Sequence, residues 1–165
     1  MDIEKDIREA VIKYRDMLYK ICLVILCNEQ DVQDVIQDTF CRYLEKKPDF
    51  RVEEHEKAWL IKVATNICRD MIRFRVRHPK VSIDEVENFL AAPEQRENLK
   101  EFLKLPIKHK TVIYLHYVEG YSIKEIADIL GITESAVKSR LLRGRKQMQD
   151  TVRMEGGNNK WTDTM

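Results

Sequence analysis

The sequence predicts an all-α protein of two small helical domains joined by a linker, and three observations lead there. Apolar residues recur at steps of three and four over long stretches, the spacing that gathers them on one helix face. Only five glycines and four prolines interrupt 165 residues, as in a soluble, helix-rich chain. The periodicity lapses from Pro79 to about Gln95, where VSIDEVENFLAAPEQ reads as a linker with room for one short helical turn. The expected units are therefore residues 1–78, a linker over 79–95, a second domain over 96–154 and a frayed, pattern-free tail over 155–165.

In the first domain, Ile3, Ile7, Val11, Tyr14, Leu18, Ile21 and Ile25 form one stripe of a long amphipathic helix over residues 2–27. Asn28 and Glu29 break it. Asp31 can cap or charge-stabilise a second helix running to about Lys47, with Val32, Val35, Ile36, Phe40, Tyr43 and Leu44 buried. Asp31, Asp34, Gln37 and Asp38 form an acidic outer edge. It would suit a basic partner, although anions at a helix N-terminus are expected without one. Pro48 ends this helix, residues 48–55 form a polar loop, and a third helix spans about Glu56 to Arg77. Leu60, Val63, Ala64, Ile67, Met71 and Phe74 line its packing side. Trp59, Lys62, Asn66, Arg69, Asp70, Arg73 and Arg77 share the other, a set able to stack on an unpaired base, bond a base edge and neutralise phosphates. The plainer account leaves Trp59 packed under the loop and the charges paired on a wet surface.

The second domain is expected to hold about four helices. Leu99, Phe102 and Leu103 begin a helical face, Pro106 sits where a first turn tolerates it, and Ile107 to Val118 makes a helix ending at Glu119-Gly120. Next comes YSIKEIADILGITESAVKSRLLRGRKQM, Tyr121 to Met148. Ser122 and Glu125 have capping-box spacing, and Ile123, Ile126, Ala127 and Leu130 repeat until Gly131, which can take positive φ and stop the helix. Thr133 caps the next helix, in which Val137, Leu141, Gly144 and Met148 face inward. Ser135, Lys138, Ser139, Leu142, Arg143 and Lys146 face out, with Arg140 at the flank and Arg145 behind. Such a pair reads as a helix-turn-helix whose second helix fits the DNA major groove. An αα-hairpin with a solvated basic face is the blander alternative.

Net charge is +1, so distribution matters more than the sum. Residues 56–80 hold seven Lys/Arg against two Asp/Glu, and 133–147 hold five against one, while 81–105 and 28–47 are net acidic. Two separated cationic surfaces suit a polyanion touched at two places. Cys22, Cys27, Cys41 and Cys68 lack C-x-x-C pairs or His partners at zinc spacing, which predicts reduced, mostly buried thiols, no metal and no cofactor. Without a secretory signal or a membrane-length apolar run, the expected location is the cytoplasm.

Taken together, DVQDVIQDTFCRYL (Asp31 to Leu44), KAWLIKVATNICRDMIR (Lys57 to Arg73) and LPIKHKTVIYLHYVEGYSIKEIADILGITESAVKSRLLRGR (Leu105 to Arg145) resemble regions 2 and 4 of bacterial RNA polymerase sigma factors of the extracytoplasmic-function (ECF) type. The resemblance spans nearly the whole chain. Gly144 departs from it, since the family more often has alanine there. It implies a monomer that binds polymerase core, through the beta-prime clamp helices and the beta subunit, with Asp31, Asp34, Gln37, Asp38, Phe40 and Arg42 at the clamp. The Trp59-to-Arg77 face and the preceding loop would meet the minus-10 promoter element, where a base leaves the stack. The helix from Thr133 would enter the major groove at the minus-35 element, with Lys138, Ser139 and Arg143 nearest the bases, Arg140, Arg145 and Lys146 toward phosphates, and Ser135 among the contacting residues. An anti-sigma factor is a further implied partner. No nucleophile-base motif, phosphate loop or metal cluster is legible, so the chain is expected to be a non-catalytic specificity subunit. Its rival is an ordinary helix-turn-helix regulator that binds duplex DNA without polymerase.

Overall fold

The computed structural model describes residues 3–46, 48–74 and 96–155. Seven helices account for most of them and no strand occurs among them. They are α1 (Ile3–Leu26), α2 (Glu29–Lys46), α3 (Glu53–Phe74), α4 (Arg96–Leu103), α5 (Ile107–Tyr117), α6 (Ile123–Leu130) and α7 (Glu134–Glu155). The chain divides into two compact units, Met1–Lys80 and Val81–Met165.

In the first unit α1, α2 and α3 pack pairwise around Leu18, Ile21, Leu23, Val24, Leu60 and Ile61, all essentially inaccessible. The stripe on α1 is buried from Tyr14 onward, with Ile3 exposed and Ile7 and Val11 half-buried, and its last turns differ from a one-sided helix: Ile21 through Ile25 are all buried in a helix that packs on both α2 and α3. Cys27 adopts a left-handed φ of 49° and donates its N–H to Leu23 O at 2.9 Å, ending α1. The cap of α2 is Asn28, not Asp31. The buried Asn28 accepts the Asp31 N–H on Oδ1 at 3.0 Å, which leaves Asp31 in the first turn as a charge near the helix's positive end.

Two further corrections concern the ends of helices. Leu44 is 41% exposed, since Tyr43 takes the inward position one residue earlier. Phe74 is 89% exposed; it is the last residue of α3. Helix α3 also starts at Glu53, three residues before the expected Glu56, and its first turn carries Glu53, Glu54 and Glu56, which suits the positive end of the dipole. Thr39 and Thr65 are buried polar residues, each returning its hydroxyl to the carbonyl four residues back, at 2.7 Å (Val35 O) and 2.8 Å (Ile61 O).

All four cysteines are free, but only Cys22 and Cys68 are buried; Cys27 is half-buried and Cys41 exposed. The neighbouring Cys22 thiol, together with burial, pushes the Cys68 thiol well above the ordinary range. Such a thiol is unreactive in the folded state.

In the second unit α5 is the central helix, with every residue from His109 to Leu115 buried. Helix α7 packs on α4, α5 and α6. Buried Lys110 places Nζ 3.3 Å from Leu103 O, so a cation sits at the carboxyl end of α4 where its orphan carbonyls need a donor. Pro106 occupies the position just before α5, where a missing N–H costs nothing. Beyond α5, Gly120 takes φ 76° and His116 Nδ1 donates to Tyr121 O at 2.7 Å, which pins the turn into α6. Glu155, expected to open the tail, is the last residue of α7; Arg77, the linker and residues 156–165 fall outside the described residues.

Candidate nucleic-acid interface

The helix-turn-helix is built by local chemistry. Ser122 Oγ accepts the Glu125 N–H and Glu125 Oε1 accepts the Ser122 N–H, each at 3.2 Å, so the capping box is complete. Gly131 stops α6 in the left-handed conformation, φ 67° and ψ 37°, and its N–H bonds Ala127 O. A Cβ there would touch nothing within 4 Å, so the backbone angle alone demands glycine. Thr133 Oγ1 then accepts the Ala136 N–H at 3.0 Å and starts α7. These are the caps that the spacing predicts.

On the inward side of α7, Val137, Leu141, Gly144 and Met148 are buried as expected. Gly144 has a packing reason. A Cβ at this position would lie 2.5 Å from Ile113 Cδ1 and 3.3 Å from His109 Cβ, so the bare backbone forms a notch that receives α5. Hydrogen bonds lie to either side of the notch. Nδ1 of His109 is 2.8 Å from Gln147 Oε1, and Arg145 Nη1 donates to Tyr117 Oη at 2.6 Å. His109, Ile113 and Tyr117 are four residues apart along α5, so one ridge fixes α7 at three points.

On the outward side Ser135, Lys138, Leu142, Arg143 and Lys146 are exposed, and Ser139 and Arg140 half-buried. Arg145 departs from the phosphate-facing expectation. It is half-buried, bound to Tyr117, and its Nε is buried without a hydrogen-bond partner, so it serves the seam with α5. Sequence spacing could not reveal this, because Tyr117 is 28 residues away.

In the first unit, Lys62, Arg69, Asp70 and Arg73 project from α3 in the open, with Asn66 and Trp59 half-buried beside them. Arg69 Nη2 donates to Asn66 Oδ1 at 2.6 Å. The Trp59 indole meets Tyr43 edge-on at 5.9 Å and Phe50 at 6.0 Å between ring centroids, an aromatic trio that ties the loop before α3 to the end of α2. Tyr43 and Phe50 complete it at 6.3 Å, and the sequence reading had missed Phe50. On α2, Gln37, Asp38 and Arg42 are exposed and Asp31 and Asp34 half-buried. Phe40 is 7% exposed and packs in the core, so it supports this face from beneath and is not a contact on it.

The two units have counterparts in known proteins. Residues 10–78 match the sigma-70 region 2 family and residues 99–148 match the sigma-70 region 4 family. The RNA polymerase sigma factor NccH of Alcaligenes xylosoxydans xylosoxydans is 30% identical over 134 residues, covering 73% of this chain and 72% of the relative. The ECF RNA polymerase sigma factor SigW of Bacillus subtilis (strain 168) is 29% identical over 159 residues, with 85% of each chain covered. The chain belongs to the ECF sigma factors. In fold it is similar to the sigma factor RpoE solved in complex with the anti-sigma factor NepR from Bartonella quintana, with a TM-score of 0.71 at 20% identity over 92% of this chain and 99% of that one.

As an ECF sigma factor the protein directs promoter-specific transcription. The ordinary helix-turn-helix regulator is not favoured, because such a reading leaves the region 2 match over 10–78 without a purpose. Among the described residues no helix is long and apolar enough to cross a membrane.

Proposed function

We propose that the protein docks on RNA polymerase core through the acidic outer face of α2 and then reads two promoter elements with two separate helix faces. The clamp helices of the beta-prime subunit would receive Asp31, Asp34, Gln37, Asp38 and Arg42, with further contact to the beta subunit. The α3 face of Lys62, Asn66, Arg69, Asp70 and Arg73, with Trp59 at its start, meets the minus-10 element, and Arg77 is assigned there from the sequence alone. Trp59 enters this reading as an organiser of the loop and as a stacking surface for an unpaired base. On α7, Ser135, Lys138, Ser139 and Arg143 address bases at the minus-35 element, Arg140 and Lys146 address phosphates, and Arg145 holds the helix at its angle.

The observation that carries this reading is the exposed face of α7, on which cationic and hydroxyl side chains stand together on a helix capped at its start and fixed from behind. The matches to regions 2 and 4 support it in their order along the chain. The protein acts as a non-catalytic, cytoplasmic monomer that an anti-sigma factor restrains; the RpoE structure, solved with NepR, supports that partner class.

The test is reconstitution of the full chain with purified core polymerase on fragmented genomic DNA, followed by sequencing of the transcripts. Defined start sites sharing two upstream motifs are the expected outcome. Exchange of Asp34 and Asp38 for lysine should weaken core binding in the same assay. Unchanged affinity for core would remove the α2 face from the proposal.

A further inference from the structure

Among the side chains on the outer face of α7, Leu142 has no role in the reading above. It is 58% exposed, although Val137, Leu141 and Met148, the other large apolar side chains described on this helix, turn inward. A single exposed leucine is ordinary on a protein surface. The difference here is location. Leu142 follows Lys138 by four residues and Ser139 by three, directly precedes Arg143, and comes four before Lys146, so polar and cationic candidates for DNA contact surround it on one face. It does not complete the core, since Val137, Leu141 and Met148 already fill the inward stripe.

We infer that Leu142 reads a thymine in the minus-35 element by packing against its C5-methyl group. The inference rests on the assignment of α7 to the major groove at that element. Within that groove the thymine methyl is the one methyl group on any base edge; apart from the small C5–H of cytosine, the remaining groups are donors or acceptors. A leucine lodged against the N6 amino group of adenine or the N4 amino group of cytosine would strip it of water and return no hydrogen bond. Against a methyl group the same side chain removes apolar surface from water on both partners. Leu142 therefore favours thymine and penalises amino-bearing edges, whereas Arg143 beside it is suited to the acceptors of guanine. Together they specify a guanine with a thymine near it, on either strand.

The test uses full-length protein with core polymerase on a promoter identified by the reconstitution above. Each minus-35 thymine, on either strand, is replaced in turn by deoxyuridine, which removes the methyl and nothing else. Wild-type holoenzyme should lose about fourfold in open-complex yield at one position, the factor corresponding to about one methyl-sized group buried. Leu142→Ala should be weaker by a similar factor on the thymine promoter and indifferent to deoxyuridine at that position. Equal activity of wild type on thymine and deoxyuridine everywhere, with Arg143→Ala still impaired, overturns the inference and leaves the α7 assignment standing. A Leu142→Ala protein that is weaker yet as sensitive to deoxyuridine as wild type also overturns it. If neither Arg143→Ala nor scrambling of the minus-35 tract changes transcription, the α7 assignment fails and the inference goes with it.

Discussion

The basic faces of α3 and α7 are held in different ways. On α7 Lys138, Arg143 and Lys146 are exposed, and the helix beneath them is fixed at Gly144, Gln147 and Arg145 against one ridge of α5. On α3 the chemistry is partly engaged within the protein, with Arg69 bonded to Asn66 and Trp59 stacked edgewise among Tyr43 and Phe50. Duplex DNA presents a groove of near-constant shape, and a preformed surface loses little entropy in meeting it. Opened DNA presents bases with no fixed position, and side chains that exchange internal partners for nucleic-acid ones can follow it. On the proposed assignment, the contrast would make α7 a rigid reader and α3 an adaptable one.

The strongest way to break this comparison is to unsettle one unit at a time. Leu60→Ala and Ile126→Ala each empty a fully buried site, one per unit, and should each cost about 2–5 kcal/mol. Hydrogen exchange should show protection falling first in the unit that carries the substitution; equal loss in both would mean that the two do not fold as separate bodies. Next, Arg145→Ala should lower stability by about 1–3 kcal/mol, because it removes a charge-assisted bond to Tyr117, and should leave the salt dependence of promoter binding unchanged. Lys146→Ala should do the reverse, reducing the slope of log affinity against log salt by about one with little change in melting temperature. If Arg145 and Lys146 behave alike, the division between fixing and contacting residues on α7 is wrong.

A smaller effect is expected at the notch. Gly144→Ala gains about 1 kcal/mol of helix propensity and loses about 1–3 kcal/mol from overpacking against the inaccessible Ile113. The net is a modest destabilisation, which Ile113→Val in the same chain should relieve by removing the clashing Cδ1. Thermal melts of the three variants decide it. The smallest effect concerns Glu56. Burial raises its carboxyl pKa, Lys13 opposes, and Asp6 and Glu9 add to the rise. The folded state then holds the proton more readily than the unfolded chain, so stability declines as pH rises from about 4.5 through the raised value. Glu56→Gln should melt slightly higher than wild type at pH 7, and the advantage should vanish once both states are protonated at lower pH.

Much of the second unit was legible because its signals are short-range. The Ser122–Glu125 box, the Gly131 stop and the Thr133 cap each depend on residues within a few positions, and each is observed. The inward stripe of α7 follows from the same periodicity. What could not be read depends on distant partners or on which of two neighbours wins a place. Asn28 and Asp31 both have capping chemistry, and Asn28 takes the role because the helix begins at Glu29, which leaves Asp31 inside the first turn. The Arg145–Tyr117 bond and the trio around Trp59 join segments brought together only by folding. Thr39, Thr65, His109 and Lys110 were invisible as core residues because polarity masks them, although Thr39 and Thr65 satisfy themselves against their own helix and Lys110 against Leu103.

The notch also bears on how alanine could come to occupy the position of Gly144. With Ile113 in place, a methyl at 144 meets an occupied space, so the order of genetic change matters: trimming residue 113 first opens a route along which each intermediate remains folded, whereas the opposite order passes through a weakened ancestor. Lineages with alanine at 144 should accordingly carry a shorter or differently rotated side chain at 113, a correlated pair that no requirement of promoter sequence would impose.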